Sequence, residues 1–237
     1  MKFLPTTKEE MKSLGWDSID VLLISGDTYL DTSYNGSALV GKWLVEHGFK
    51  VGIIAQPEVD VPDDITRLGE PNLFFAISGG CVDSMVANYT ATKKRRQQDD
   101  FTPGGENNKR PDRAVLVYSN MIRRFFKGTT KKIVISGIES SLRRITHYDY
   151  WTNKLRKPIL FDAKADILSY GMGEMSMLQL ANVLKNGEDW QNIRGLCYLS
   201  KEPKEDYLSL PSHADCLADK DKFIEAFHTF YLNCDPI

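Results

Sequence analysis

Residues 136–151 hold the densest group of side chains that could do chemistry. They read Ser-Gly-Ile-Glu-Ser-Ser-Leu-Arg-Arg-Ile-Thr-His-Tyr-Asp-Tyr-Trp and follow residues 132–135, a β-branched run typical of a buried strand. Ligands of open α/β sheets bind just beyond the carboxyl ends of strands, so we expect a site here. The alternative is a surface helix whose aromatics pack inward and whose arginines are solvated. The candidate ligand or interface residues of this segment are Gly137, Glu139, Ser140, Ser141, Arg143, Arg144 and His147.

The two adjacent arginines are the strongest of these candidates. Each guanidinium offers a fixed fork of donors for phosphate or carboxylate, and we expect Glu139 to pair with an arginine. His147 and Asp149 could form an acid/base pair, but no nucleophile motif accompanies them and positions i and i+2 do not face each other on a helix. We therefore assign no catalytic residue to this chain.

Further candidates follow other apolar runs of the sequence. Asp27 and Asp31 come after the first run and could bind a ligand hydroxyl or a cation, or cap the next helix. Ser78, Gly79 and Gly80 could bring backbone N–H groups to an anion, or form an ordinary turn. Gly171, Gly173 and Glu174 are not a dinucleotide fingerprint and favour a helix N-terminus at the sheet edge. We expect Gly137, Glu139, Ser140, Ser141, Arg143 and Arg144 to line a cleft at the carboxyl edge of the sheet. Residues 78–80 and 171–174 should lie beside it, because all three segments follow predicted strands.

The elements that must position these residues alternate along the chain. The predicted strands are 20–25, 51–55, 73–77, 132–135 and 165–170, with an edge strand at 193–199, and the predicted helices are 37–47, 82–92, 113–127, 171–184 and 220–232. This alternation predicts a doubly wound, Rossmann-like α/β domain with a mainly parallel sheet, similar to flavodoxin. Residues 93–112 form a basic insertion of about 20 residues, a length that is functional or disordered in most compact domains.

Charge is unevenly distributed along the 237 residues. The net charge is −2, yet residues 93–157 contain 17 Lys/Arg and only 6 Asp/Glu. A basic middle between acidic flanks suggests an anionic partner or an acidic face of the same protein. A nucleic-acid-binding module using residues 93–157 is therefore the alternative function, and salt-dependent binding would reveal it.

Cysteine spacing and hydropathy exclude several classes of protein. Cys81, Cys197, Cys216 and Cys234 are widely spaced and include no Cys-x-x-Cys pair, which argues against a closed metal site and a disulfide framework. We therefore predict no metal site in this chain. No apolar run is long enough to span a bilayer, and the amino terminus does not resemble a signal peptide. We expect a cytoplasmic protein without a membrane partner.

Motifs spread over the whole chain resemble one family. The pieces are residues 3–7, 15–17, 52–57, 83–86, 88–91, 102–105, 110–113, 117–120, 137–144, 147–151, 164–166 and 170–174. In this order they resemble the N-terminal domain of YgiQ-type radical-SAM proteins, described as Fe–S oxidoreductases. The resemblance implies that residues 1–237 are one domain of a longer enzyme. Its downstream barrel would hold a 4Fe–4S cluster in a Cys-x-x-x-Cys-x-x-Cys motif and cleave S-adenosylmethionine; residues 1–237 contain no such motif.

The resemblance also implies a relation to the cobalamin-binding domains that precede many radical-SAM barrels. In their best-known form these carry Asp-x-His-x-x-Gly after the first strand, where the histidine ligates cobalt. Here residues 31–36 keep the aspartate and glycine, and Ser33 stands at the histidine position. A hydroxyl is a poor cobalt ligand beside an imidazole, so cobalamin stays a candidate cofactor without an assigned ligand. We expect this domain to present a substrate, which could be anionic, or a cofactor to its own C-terminal barrel, or to dock on it.

Overall fold

A computed structural model describes residues 3–31, 35–205 and 207–234. Its strands are β1 (Val21–Ser25), β2 (Val51–Ala55), β3 (Phe74–Ser78), β4 (Lys132–Ser136), β5 (His147–Asp149), β6 (Lys154–Arg156), β7 (Ile167–Ser169) and β8 (Leu196–Tyr198). Its α-helices are α1 (Lys8–Ser13), α2 (Gly36–Glu46), α3 (Pro62–Ile65), α4 (Ser84–Asn88), α5 (Ala114–Phe125), α6 (Gly137–Leu142), α7 (Ile159–Ala163), α8 (Glu174–Asn186), α9 (His213–Ala218) and α10 (Lys220–Leu232).

Six of the strands form one twisted layer in the order β2-β1-β3-β4-β7-β8. The first five run parallel, and β8 pairs antiparallel with β7 at the edge. This confirms the predicted doubly wound α/β fold with a mainly parallel sheet, in the flavodoxin-like strand order. The strand order reverses between β1 and β3, so the carboxyl ends of these two strands flank the topological switch point.

Alternate residues of each strand enter two separate cores. Leu22, Phe75 and Ile133 point to the face covered by α5, where Val115 and Ile122 are fully buried. Leu23, Phe74 and Val134 point to the opposite face, which α2 and α8 cover. A sheet buried on both faces requires apolar side chains at successive positions, and that explains the continuous apolar runs.

Some predicted boundaries are wrong for local reasons. Residues 137–151 form the short helix α6 and then strand β5, which pairs with β6 in a hairpin. The alternative interpretation of this segment as one surface helix is therefore wrong. The predicted helix 82–92 shrinks to α4, because Asp83 caps it at one end and Tyr89 is already extended. Sequence periodicity missed α1, α3, α7 and α9, each of which has no more than six residues.

The basic insertion is an ordered part of the domain. Isolated β-bridges join Tyr89 to Arg95 and Gln98 to Glu106. Polar residues of the insertion are buried, namely Asp99, Thr102, Asn107 and Arg110. Buried polar groups need partners, so this segment must be locked to its neighbours by specific hydrogen bonds.

Candidate functional site

A cleft of about 300 Å³ lies at the topological switch point, on the carboxyl edge of the sheet. Residues that follow β1, β3, β4 and β7 line it together with the first turns of α2 and α8. Among the predicted site residues, the lining contains Asp27, Ser78, Gly80, Gly137, Gly171, Gly173 and Glu174. The structure thus brings the three segments expected at the cleft to one place and adds Asp27 to them, but from segment 137–144 only Gly137 of the predicted residues lines the cleft.

Serines end the strands beneath this cleft. Ser25, Ser78 and Ser136 occupy the same register position on neighbouring strands, and all three line the cleft. Two of these hydroxyls already form local hydrogen bonds. The Ser25 hydroxyl accepts from the Asp27 N–H at 3.1 Å, and the Ser78 hydroxyl accepts from the Gly80 N–H at 3.2 Å. A hydroxyl can donate and accept at once, so this row offers polar contacts to a ligand without adding charge.

Glycines let the loops after β1 and β3 approach each other closely. A Cβ atom on Gly26 would lie 2.1 Å from the carbonyl oxygen of Gly79, and one on Gly80 would lie 2.1 Å from Asp27 Oδ1. Gly80 also has a φ of +117°, in the region that favours glycine. The Ser78–Gly80 turn is therefore built for close backbone packing, in addition to any contact with an anion.

Asp27 belongs to a buried ionic network with the insertion. Its Oδ1 lies 2.6 Å from Nη1 of Arg110, as an ion pair rather than a well-aligned hydrogen bond, and its Oδ2 accepts from the Cys81 N–H at 2.6 Å. Arg110 also binds Asp99 at 3.2 Å and donates to the carbonyl of Gly79 at 3.0 Å. The side chains of Arg110, Asp27 and Asp99 are at most 3% exposed.

Cys81 lies beside this network on the cleft wall. Burial is the main reason that its pKa rises to about 11, and the neighbouring Asp27 carboxylate raises it further. The thiol is therefore protonated near neutral pH, which makes it a poor nucleophile and a poor metal ligand. None of the four cysteines, all of which lie in the described ranges, forms a disulfide.

The helix-cap interpretation of Asp27 and Asp31 is wrong. Asn35 caps α2 instead, because its Oδ1 accepts from the Ala38 N–H at 3.1 Å. Asp31 forms an ion pair with Lys42 at 3.1 Å. Ser33 lies outside the described residues.

Glu139 lies behind the Ser78–Gly80 turn and does not line the cleft. Its two carboxylate oxygens accept from the backbone N–H groups of Ser84 and Val115 at 3.0 and 3.3 Å. Burial, followed by the neighbouring Asp83, raises its pKa. The predicted pairing of Glu139 with an arginine is wrong, because backbone donors satisfy its oxygens and the guanidinium of Arg143 binds Asp83.

The two arginines of the opening motif serve different contacts. Arg143 binds Asp83 and also donates to the backbone carbonyl of Glu139 at 3.2 Å. The Arg144 guanidinium lies between two rings, 4.8 Å from the centroid of Tyr170 and 4.5 Å from that of Phe230. Neither side chain lines the cleft, so their predicted position there is wrong, because Asp83 and two aromatic rings hold them elsewhere.

The remaining residues of the motif are structural in their contacts. Ser141 accepts from the Gly171 N–H at 3.2 Å, which ties α6 to the cleft loop. Ser140 is fully buried, and its Oγ finds no hydrogen-bond partner among the described residues. His147 is half-buried, and burial lowers its pKa. Its strand neighbour Asp149 pairs with Arg113 at 2.7 Å.

About half of the basic residues of segment 93–157 form ion pairs within the fold. Nine of the 17 form ion pairs with carboxylates, most of which lie outside the segment: Arg95, Lys109, Arg110, Arg113, Arg123, Arg124, Lys132, Arg143 and Arg156. The acidic partner of the basic segment is thus in large part the same protein, as one of the two interpretations predicted. This arrangement does not favour a nucleic-acid-binding surface.

Sequence reasoning missed several residues that shape the site. Arg110 and Asp99 lie in the basic insertion, Arg110 also in a family motif, and neither they nor Ser25, Asn35 and Cys81 are among the predicted site residues. A signal existed for Ser25, since serine ends three of the predicted strand regions at the same point. The pairing of Arg110 with Asp27 bridges more than 80 positions of sequence and leaves no local pattern.

Neither a metal-ligand cluster nor a membrane-spanning helix occurs among the described residues. Across residues 3–31, 35–205 and 207–234, no three or more His, Cys, Asp or Glu side chains converge in a way that could hold a metal ion. Within the same ranges, no helix combines the length and apolar character needed to cross a membrane.

Fold and cleft define a class: a doubly wound α/β domain with a ligand-sized cleft at its switch point. Within that class, the chain belongs to the Radical SAM N-terminal family, whose model matches residues 3–237. The predicted family membership is thereby confirmed.

Proteins from several organisms match this chain over nearly its whole length. It is 95% identical over 237 residues to a UPF0313 protein of Fusobacterium nucleatum, covering 42% of that protein. UPF0313 proteins of Thermotoga neapolitana and Methanocaldococcus jannaschii are 51% and 49% identical, over 41% and 40% of their length. The chain thus spans about two-fifths of the relatives that it matches.

Solved structures support the fold. The radical S-adenosylmethionine methyltransferase TsrM from Kitasatospora setae, with cobalamin and a 4Fe–4S cluster bound, superposes with a TM-score of 0.52 at 16% identity. The match covers 78% of this chain and 28% of TsrM. At this identity the likeness establishes a shared fold.

Proposed function

We propose that this chain is the ligand-binding N-terminal domain of a radical-SAM protein. In this proposal the switch-point cleft holds part of a cofactor or substrate and presents it to a downstream barrel, where a 4Fe–4S cluster and S-adenosylmethionine supply the radical chemistry. The observation that carries the proposal is the position of the cleft, since open α/β sheets bind ligands at this point. The absence of a Cys-x-x-x-Cys-x-x-Cys motif from residues 1–237 and the greater length of the relatives agree with such a division of labour.

The chemistry of the cleft favours a polar, nucleotide-like group as the part that enters. The serine row offers neutral hydroxyls, and the N-termini of α2 and α8 place backbone N–H groups at the walls. A volume of about 300 Å³ is at the lower end of the range for small-molecule sites, about 300–1,000 Å³. The cleft can therefore enclose a ribose, a phosphate or a base, while a larger ligand must extend beyond its mouth.

Cobalamin fits this cleft only in part. Its nucleotide portion suits the hydroxyls and helix N-termini described above. The four histidines, at positions 47, 147, 213 and 228, all lie in the described ranges, and none lines the cleft. The Cys81 thiol is protonated near neutral pH because its pKa is raised to about 11. The described residues therefore offer no good cobalt ligand, and we propose that cobalamin binds here through its nucleotide portion.

A spectroscopic titration of the full-length protein tests this proposal. We expect hydroxocobalamin to bind with a change in its visible spectrum that does not indicate histidine ligation. Gly36→Phe should weaken binding, because Gly36 lines the cleft and a Cβ there meets no atom within 4 Å, which leaves room for a ring at the cleft wall. Glu46→Phe, at the exposed far end of the same helix, is the matched control.

The outcomes separate cobalamin from the cleft itself. If the wild-type protein leaves the spectrum unchanged at high micromolar concentration, cobalamin is excluded. Formation of 5′-deoxyadenosine from S-adenosylmethionine by the reconstituted protein then serves as the second readout. The proposal fails if Gly36→Phe changes neither cobalamin binding nor this reaction relative to Glu46→Phe.

A further inference from the structure

The last helix, α10, carries apolar side chains on two faces. Ala226 is buried and Phe223 and Phe230 are half-buried, so this side of the helix packs on the domain. On the other side, Ile224, Phe227 and Tyr231 follow the i, i+3, i+7 spacing of a single helix face and are 50–67% exposed. Together with Leu232, which is 75% exposed, they form what we call the outer face of α10.

An exposed apolar face is unusual for a helix that already packs on the domain through its other side. A helix that is apolar on both sides is normally buried, and a contiguous exposed apolar patch marks an interaction site. The rings of Phe227 and Tyr231 are stacked, with centroids 6.1 Å apart and planes inclined by 16°. Stacked aromatic rings present a broad apolar surface at small entropic cost, which suits protein docking.

Contacts of Arg144 connect α10 to the loop that leads into the cleft. Arg144 holds Phe230 of α10 against Tyr170, and Tyr170 directly precedes the cleft residues Gly171 and Met172. The side chain of Met172 is 85% exposed at the mouth of the cleft. The inner side of α10 is thus linked through Arg144 to the loop that leads into the cleft.

We infer that the outer face of α10 is the docking surface for the downstream part of the same polypeptide, the expected radical-SAM barrel. The relatives extend well beyond the matched region, which makes up 42% of the Fusobacterium protein, and the matched family is an N-terminal one. In those proteins the chain is longer than the matched region, whose last described helix is α10. This inference rests on the proposed function for the identity of the occupant, and it adds the surface through which that occupant is held.

Hydroxyl-radical footprinting of the full-length protein, read by mass spectrometry, tests the inference. Phe161 on α7 is the internal control, because it is 50% exposed where Phe227 is 54% exposed and it belongs to a different helix. We expect Phe227 and Tyr231 to be oxidised several-fold more slowly than their exposure here predicts, whereas Phe161 reacts as an exposed ring. Equal rates for Phe227 and Phe161 would overturn the inference.

Two further measurements identify the occupant. Protection of Phe227 that rises with protein concentration, together with dimers in sedimentation, would assign the face to a second copy and overturn our choice. Phe227→Lys should restore fast oxidation of Tyr231 in the monomer, whereas Phe161→Lys should not. If Phe227 is protected but Gly36→Phe has no effect on the cleft readouts, docking holds and the proposed function fails. If Phe227 is not protected but Gly36→Phe impairs the cleft readouts, the proposed function holds and the docking inference fails.

Discussion

At the scale of single residues, the buried guanidinium of Arg110 is the key contact of the site. It neutralises Asp27 on the β1 loop and Asp99 in the insertion, and its side chain has no exposed surface. Removing one partner of a buried ion pair leaves an uncompensated charge in a poorly solvated place. The effect of this arginine on stability should therefore exceed that of any exposed ion pair in the domain.

We predict that Arg110→Met lowers the free energy of unfolding by about 3–5 kcal/mol. Arg124→Met is the matched control: Arg124 pairs with Asp60, both are more than 60% exposed, and the expected loss is about 0–1 kcal/mol. Chemical denaturation followed by tryptophan fluorescence measures both. Adding Asp27→Asn and Asp99→Asn to Arg110→Met should recover part of the loss, and similar losses for the two single variants would contradict a buried role for Arg110.

His147 should make the domain sensitive to mild acid. Burial lowers the pKa of its imidazole below the ordinary 6.5, so the unfolded chain binds this proton more readily than the folded one. The contribution of His147 to stability is therefore present above pH 6.5 and is lost as the pH falls from there through the folded pKa.

We predict that His147→Gln flattens the decline of stability below pH 6.5. The comparison must be a difference between variant and wild type, because Glu139 acts in the opposite sense: its raised pKa stabilises the fold as the pH falls towards 4.5. Denaturant midpoints measured between pH 7.5 and 5 give this difference. An identical pH profile for both proteins would mean that His147 titrates as it does in the unfolded chain.

At the scale of elements, the basic insertion acts as a clamp on the loops of the site. Gln56, after β2, donates to the Thr102 hydroxyl at 2.6 Å, and Thr102 donates to Asp99 at 2.8 Å. Asp99 in turn binds Arg110, which reaches Asp27. One continuous network thus joins the carboxyl ends of β2 and β1 through the insertion, and such networks rigidify a site when their members are satisfied.

We predict slow hydrogen exchange within the insertion. The Arg96 N–H donates to Asn88 O at 2.8 Å, the Asp99 N–H to Gly105 O at 2.9 Å, and the Asn107 N–H to Gln97 O at 3.0 Å. Arg110→Met should accelerate exchange of peptides from 96–107, whereas Arg124→Met should not. Fast exchange of these amides in the wild-type protein would show that the insertion opens independently of the sheet.

At the scale of the whole molecule, the charge asymmetry of the sequence is resolved by folding. Basic side chains of residues 93–157 meet carboxylates from the rest of the chain, such as Glu58, Asp60 and Asp166. Nine of the 17 thereby have a carboxylate partner within the fold, which reduces the positive charge that could neutralise phosphates of a nucleic acid.

We therefore predict that the full-length protein binds single-stranded RNA or DNA no more tightly than roughly 1 μM at physiological salt, the upper end of non-specific affinity. Fluorescence anisotropy at several salt concentrations measures this. Sub-micromolar binding that weakens steeply with salt would instead restore the nucleic-acid module as the function.

The sequence by itself determined the sheet and its two layers of helices. Strand β2 was predicted at 51–55 and helix α10 at 220–232 with the bounds that the structure has. This was possible because burial on both faces of a parallel sheet demands uninterrupted apolar runs, and helices on its surface repeat every 3.6 residues. The same local patterns placed Asp27, Ser78, Gly80, Gly137 and Gly171 at strand ends, and hence at one edge.

Only the tertiary structure decided which of those residues face the cleft and which hold it together. Glu139, Arg143 and Arg144 belong to the most conspicuous motif of the chain, yet they bind backbone amides, Asp83 and two aromatic rings. Arg110 came from an apparent loop and proved to be fully buried beside Asp27. The physical reason is that charge pairing depends on distance in space, and a hydrogen bond or ion pair between residues far apart in sequence leaves no periodic trace in the chain that forms it.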